Sequence, residues 1–206
     1  RLRLAQDRIR LALSLTGVKP MVTLSGGDAE PLLPTVLLAP RLAVRGTLEI
    51  GAERLKLRGL ALLERVLGPW PMAAGQMVWD RCYLHLDDGR DIVGSRMRRR
   101  DGSGVPIDRF AVITPEGALR RLPRSEVEVL TAQPWESPRD RLGYRLPVLF
   151  RFKTEGLSLG LSPWLPDQEV RRPLRYWSGS VRVRGRSGDA PVYGQGHLDI
   201  APAILP

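Results

Sequence analysis

The sequence predicts an all-β chain folded as a barrel or a sandwich of short strands. Three observations carry that expectation. Apolar residues fall at every second position through most of the chain, which gives a strand one greasy and one polar face. Turn signals recur at the ~8–12-residue spacing of antiparallel barrels and sandwiches. Finally, 18 prolines and 21 glycines among 206 residues leave little room for long helices. With 43% hydrophobic and 26% charged residues the composition is that of a globular chain, which excludes wholesale disorder.

The alternation opens with Leu2 and Leu4, then Ile9, Leu11, Leu13 and Leu15, set between Arg, Gln, Ala and Ser. Residues 25–40 hold Gly26-Gly27 with Pro31, Pro34 and Pro40, and read as a linker. Alternation returns at Leu42 and Val44, Leu48 and Ile50, and Leu55 and Leu57. The next stretch, LALLERVL over 60–67, has the propensity for two helical turns before Gly68-Pro69 stops it. Further strands are expected over 79–86, at Phe150 and Phe152, at Leu157, Leu159 and Leu161, and at Val181 and Val183. Gly89, Gly102, Gly117 and Gly156 each follow an acidic residue where a hairpin needs positive φ.

The charge of +10, from 32 Lys+Arg against 22 Asp+Glu, favours anionic partners in general. Its distribution argues against nucleic acid. Lys19, Lys56 and Lys153 are the only lysines, and the arginines stand singly between apolar residues, as at Arg182 and Arg184. That is how the wet face of a strand is written. One cysteine, Cys82, allows neither an intrachain disulfide nor a cysteine zinc cluster. No apolar run reaches the ~18 residues of a membrane helix. The chain starts at Arg1 without an initiator Met or a leader, so it reads as a fragment of a longer protein.

Several chemistries lack their motif. Gly26-Gly27 is not followed by Lys-Ser/Thr, so there is no phosphate loop. His85 and His197 have no metal-ligand spacing, and Gly-x-Ser-x-Gly is absent. No metal or cofactor is expected. What remains are acids beside aromatics. In a strand over 79–86, Trp79, Arg81, Tyr83 and His85 share one face, and Asp80 shares the other with Cys82, Leu84 and Leu86. If that second face points inward, desolvation raises the Asp80 pKa and makes it an acid near neutrality. The second cluster is Asp167, Gln168 and Glu169 with Tyr176 and Trp177, where a ring face could stabilise a developing cation. Against this stand bland readings: a solvated or Arg-paired Asp80, a turn with Glu169 paired to a neighbouring arginine, and a charged hairpin end at 96–100.

Longer strings carry a resemblance. LRLAQDRIRLALSLTGVKPMV (2–22), PRLAVRGTLEI (40–50), VWDRCYLHLDDGRDI (78–92), RMRRRDGS (96–103), WESPRDRLGY (135–144), PWLPDQEVRRPLRYWSGSVRV (163–183) and VYGQGHLDI (192–200) run in order along nearly the whole chain. They resemble the lipocalin-like AttH family of predicted secreted hydrolases, which includes the carotenoid 1,2-hydratases (hydroxyneurosporene synthases). The resemblance implies two consecutive lipocalin-like antiparallel β-barrels. Residues 1–24 would be the last strands of the first, 25–40 the linker and 41–206 the second, with the N-terminal barrel missing. It also implies export to the cell envelope. The family's Gly-x-Ala-Trp-Met-Asp-Arg-Glu-Trp-like segment is altered here. Glu64 replaces the Asp and Arg65 is kept, but Leu62, Val66 and Leu67 replace both tryptophans and the second acid. Ser178 stands where an acid is common.

Two functions follow from the resemblance. One is acid-catalysed hydration of a C=C bond in a hydrophobic, isoprenoid or lipid-like molecule. Its candidate acids are Glu64, Asp80, Asp167 and Glu169, and its ligand-binding candidates are Arg65, Trp79, Tyr83, His85, Gln168, Tyr176 and Trp177. The other is a non-catalytic carrier of the same class of ligand, favoured by the altered segment. A third reading, an electrostatic binder of nucleic acid or anionic membrane, rests on net charge alone and predicts affinity that collapses with salt.

Overall fold

The computed structural model describes residues 1–24, 34–68, 77–130, 135–146, 149–171 and 175–202. Two compact units divide the chain, Arg1–Pro71 with Glu116–Ala118, and Met72–Pro115 with Leu119–Pro206.

The first unit is a five-stranded antiparallel sheet of β1 (Leu2–Gln6), β2 (Ile9–Gly17), β3 (Val22–Leu24), β4 (Thr35–Ile50) and β5 (Glu53–Leu67). β4 organises it. Its second half pairs with β2, its first residues with β3, and nearly its whole length with β5. The register shifts between Ala39 and Leu42, at Pro40-Arg41. Proline has no N–H for the ladder, so the strand bulges there, and the Arg41 carbonyl accepts the Val18 N–H at 2.9 Å.

Two expectations are corrected in this unit. Residues 35–40 are strand, not linker, and β4 runs unbroken across the expected boundary at 41; residues 25–33 lie outside the described residues. The stretch 60–67 is the end of β5, not a helix. Fourteen paired positions with β4 outweigh the helical preference of LALLERVL.

The second unit is a ten-stranded antiparallel sheet, a nearly closed barrel of the lipocalin-like kind. It contains β6 (Met77–Leu86), β7 (Asp91–Arg99), β8 (Ile107–Ile113), β9 (Leu119–Leu122), β10 (Val127–Leu130), β13 (Leu149–Phe152), β14 (Leu157–Pro163), β15 (Glu169–Val170), β16 (Tyr176–Ser187) and β17 (Ala190–Ile200). A two-stranded ribbon, β11 (Trp135–Glu136) and β12 (Gly143–Tyr144), lies in the chain before β13. The order is β10-β13-β14-β16-β17-β6-β7-β8-β9, with β15 on β16. Its two ends, β9 and β10, are joined by the single 3-10 turn Arg124–Glu126. Alternation holds as expected: on β16 Trp177, Gly179, Val181 and Val183 are buried between more exposed neighbours. Gly89, Gly102, Gly117 and Gly156 all take positive φ.

The barrel interior is filled over much of its length. Phe110, Phe150 and Phe152 meet at 5.9–6.4 Å between centroids, with Leu84, Leu86, Ile92, Leu159, Val181 and Leu198 around them. Aromatic edge contacts of this kind lock a core more firmly than aliphatic packing alone.

Candidate functional site

β6 alternates as its sequence requires, and its inward residues change character along the strand. Cys82, Leu84 and Leu86 are fully buried in the apolar core, and burial pushes the Cys82 thiol up to about 12, so it is a packing residue. Asp80 continues that row where the packing ends, on the wall of a cavity of about 550 Å³. Cys82, Phe110, Val129, Phe150 and Ile200 give the cavity its apolar surface; Asp80, Arg96, Arg98, Asp108 and Arg145 give it charge.

Two groups hold Asp80. Its Oδ1 accepts the Ala201 N–H at 2.9 Å, and its Oδ2 lies 3.6 Å from Arg98 Nε. Arg98 also donates to the carbonyls of Ala201, at 3.4 Å, and Pro202, at 3.1 Å, so it pins the chain beyond β17 to β7. Desolvation raises the Asp80 pKa above the ordinary carboxylate range; Arg98, the Ala201 N–H and Arg96 pull it back without cancelling the rise. Beside it, Asp108 is shared by two guanidiniums, Arg96 Nε at 3.0 Å and Arg124 Nε at 2.5 Å.

The expected charged hairpin end at 96–100 is therefore corrected for Arg96 and Arg98, whose side chains serve the cavity. Period two would have placed them there, because Arg96 pairs with Asp80, and Gly94 with Cys82, in the β6–β7 register. Arg145 and Asp108 had no such signal.

Glu169 is placed differently from the expected proton donor. Its side chain is 0% exposed and accepts from Tyr144 Oη at 2.6 Å, Ser137 Oγ at 2.9 Å, Arg171 Nε at 2.7 Å and Arg175 Nη2. Burial alone pushes this carboxyl up, but the four donors together outweigh it and hold the pKa at about 2. Glu169 is thus a permanently ionised anchor for the 135–144 ribbon. The exposed Asp167 turns back on the chain, its Oδ1 3.4 Å from the Glu169 N–H. Gln168 bridges its loop to β16, donating to the Leu165 and Ser180 carbonyls and accepting the Ser180 N–H. Trp177 lies in the core with its Nε1–H on the Pro166 carbonyl at 2.9 Å.

The other face of β6 carries a separate cluster. Trp79 meets Tyr176 at 6.4 Å between centroids, with the Arg81 guanidinium 4.8 Å from the Trp79 ring centre. Next to them in the sheet, Ser178 on β16 faces Asp199 on β17. Ser178 Oγ donates to Asp199 Oδ1 at 2.7 Å, and both atoms approach His197 Nε2, at 3.1 and 3.2 Å. Burial raises the Asp199 pKa, and the hydrogen bonds from His197 and Ser178 more than reverse it. This is not a nucleophile relay. The serine proton points at the carboxylate, and serine and aspartate share one imidazole nitrogen instead of using opposite ones. The half-buried Tyr83 is paired with His197 in the register. His85 is buried, with Nδ1 2.6 Å from Asp91 Oδ1, which occupies the ring as a structural partner instead of a ligand contact.

Glu64 and Arg65 belong to β5 of the first unit. Glu64 is half-buried and shares a face with its register partner Leu38, and Arg65 is exposed on the opposite face. Among the described residues no group of three His, Cys, Asp or Glu side chains is arranged to hold a metal ion, and no helix is long and apolar enough to cross a membrane.

An antiparallel barrel with a partly filled interior and a charged cavity defines the class: a lipocalin-like protein. The chain belongs to the AttH-like family, whose sequence profile matches residues 1–202. Two solved structures share the fold. An AttH protein of Nitrosomonas europaea is 23% identical with a TM-score of 0.79, the match covering 97% of this chain and 63% of that one. Kievitone hydratase of Nectria haematococca is 16% identical with a TM-score of 0.70, covering 98% of this chain and 64% of that one. This chain thus spans less than two thirds of either. No match is found among curated proteins.

Proposed function

We propose that this AttH-like chain binds a hydrophobic, isoprenoid- or lipid-like molecule in the barrel cavity and adds water across one of its C=C bonds, with Asp80 as proton donor. The observation that carries the reading is a carboxyl kept above its ordinary pKa on the wall of a cavity with an apolar surface. Protonated Asp80 gives its proton to the less substituted alkene carbon; the π pair forms the C–H bond and leaves a tertiary cation. The Asp80 carboxylate now faces that cation, and the rings of Phe110 and Phe150 line the same cavity. Water adds through oxygen, and its surplus proton returns to Asp80. Alkene and water become a tertiary alcohol and the acid is regenerated. The name of one structural neighbour, a hydratase, agrees with this reaction class.

The carrier reading keeps the same cavity and removes the chemistry. It is favoured by Trp79, Tyr83, Tyr176 and Trp177, none of which lines the cavity. Incubation with an acyclic isoprenoid alkene in heavy-oxygen water separates the two. Hydration puts the label in an alcohol, and Asp80→Asn lowers turnover by roughly 10²–10⁴-fold while uptake of an apolar dye is unchanged. Dye uptake that the alkene displaces, without label, supports the carrier; absence of dye uptake overturns both.

A further inference from the structure

The charges around the cavity do not balance. Arg96 lies 3.0 Å from Asp108, and Arg124 claims that carboxylate as well. Asp80 faces Arg98 across 3.6 Å, and desolvation shifts that carboxyl toward its neutral form. Arg145, exposed on the cavity wall, has neither a hydrogen bond nor an ion pair among the described residues. The wall therefore carries a surplus of guanidinium, while Cys82, Phe110, Val129, Phe150 and Ile200 offer apolar surface.

We infer that the ligand of this cavity is an amphiphile, an apolar body ending in an oxyanion such as a carboxylate or phosphate, with Arg145 and Arg98 as the groups that recognise its head. The inference rests on the reading of the barrel cavity as the ligand site and narrows it to a chemical class. A guanidinium offers paired N–H donors in the geometry of a carboxylate or phosphate edge. The volume suits a small molecule of this kind. The charge count also bears on the proposed chemistry. A cation forming beside uncompensated guanidinium is disfavoured by like-charge repulsion, and a ligand that brings its own negative charge removes that penalty. A wholly apolar hydrocarbon leaves Arg145 uncompensated.

The test is displacement of Nile red, an uncharged apolar dye, from the chain by dodecanoate, dodecyl phosphate, dodecanol and methyl dodecanoate. One or both anions should displace the dye at about tenfold lower concentration than dodecanol or the ester, since a charge-assisted hydrogen bond contributes at least that factor. Which anion is preferred distinguishes a carboxylate head from a phosphate head. Arg145→Gln should remove most of the preference and leave dye affinity intact; being exposed, Arg145 can be replaced without unfolding the barrel. Arg186→Gln, an exposed arginine that does not line the cavity, should keep the preference. Equal displacement by all four compounds, or a preference that Arg145→Gln leaves intact, overturns the anionic head and leaves the cavity reading standing. Failure of the wild-type chain to take up the dye overturns the cavity reading itself, and the inference with it.

Discussion

Asp80 and Glu169 are both shielded carboxyls, and their partners send them in opposite directions. Desolvation wins at Asp80, which has one backbone N–H and a distant guanidinium. Four donors win at Glu169. The proton donor must be protonated, so turnover should be highest at low pH and fall as pH rises through the raised Asp80 pKa; a rate that increases over that window excludes Asp80 as the acid. Linkage gives each residue a stability signature. The raised Asp80 pKa means its contribution is present at low pH and lost as pH rises, so Asp80→Asn should leave the neutral-pH melting temperature unchanged or higher. Glu169 is depressed from 4.5 to about 2, so its contribution is full above about 4.5 and is lost as pH falls toward 2. Glu169→Gln should cost roughly 2–3 kcal/mol at neutral pH, less than a fully buried pair because Arg171 and Arg175 can reach water. It should also flatten urea stability across that acidic window, and an unchanged slope would contradict the assignment. The sequence made Asp80 legible because its partners on β6 are two and four residues away. The donors to Glu169 were not legible: Ser137 and Tyr144 lie 32 and 25 residues distant, brought in by the ribbon.

At the scale of elements, period two and turn chemistry suffice wherever a strand is short and bounded by an acidic residue and glycine. They fail at β4 and β5, where Pro40 looks like an end but is a bulge, and where leucines suit a helix or a strand equally well. Long-range pairing decides both cases, and one sequence does not display it. The β6–β7 pair shows what register adds. A Cβ placed on Gly94 would stand 2.4 Å from Phe110 Cε1 and 2.8 Å from Cys82 Sγ. These atoms belong to the cavity's apolar side, so the missing side chain at Gly94 is space that Phe110 fills. Gly94→Ala should destabilise the barrel by about 1–3 kcal/mol through overpacking and weaken dye uptake by displacing Phe110. A urea midpoint and a dye titration on the same variant check both effects, and wild-type values for both would show that the ring moves at no cost.

Across the whole molecule, the two sheets use their apolar residues differently. The barrel buries one face of its strands inward. In the first unit, antiparallel register puts Leu2 opposite Leu13, Leu4 opposite Leu11, Leu11 opposite Leu48 and Leu48 opposite Leu55. Directly paired residues share a face, so these leucines form one layer, continued by Ile9 and Ile50. Arginines, Lys56 and Thr47 occupy the other face. Yet Leu2, Leu4, Ile9, Ile50 and Leu55 are each 44–51% exposed. A continuous leucine layer that stays half exposed has the pattern of a core face left partly uncovered. β1 adds an open edge of unpaired backbone groups, the kind of template on which chains associate. The chain should therefore self-associate in the micromolar range, with sedimentation coefficients that rise with concentration and bright anilinonaphthalene fluorescence. Leu4→Lys with Leu55→Lys should shift it toward monomer and dim the dye while leaving Nile red uptake by the barrel cavity unchanged, since neither residue lines that cavity. A wild-type chain that sediments as a monomer throughout, with no dye response, would mean that half-exposed leucines in this sheet are tolerated as an ordinary surface.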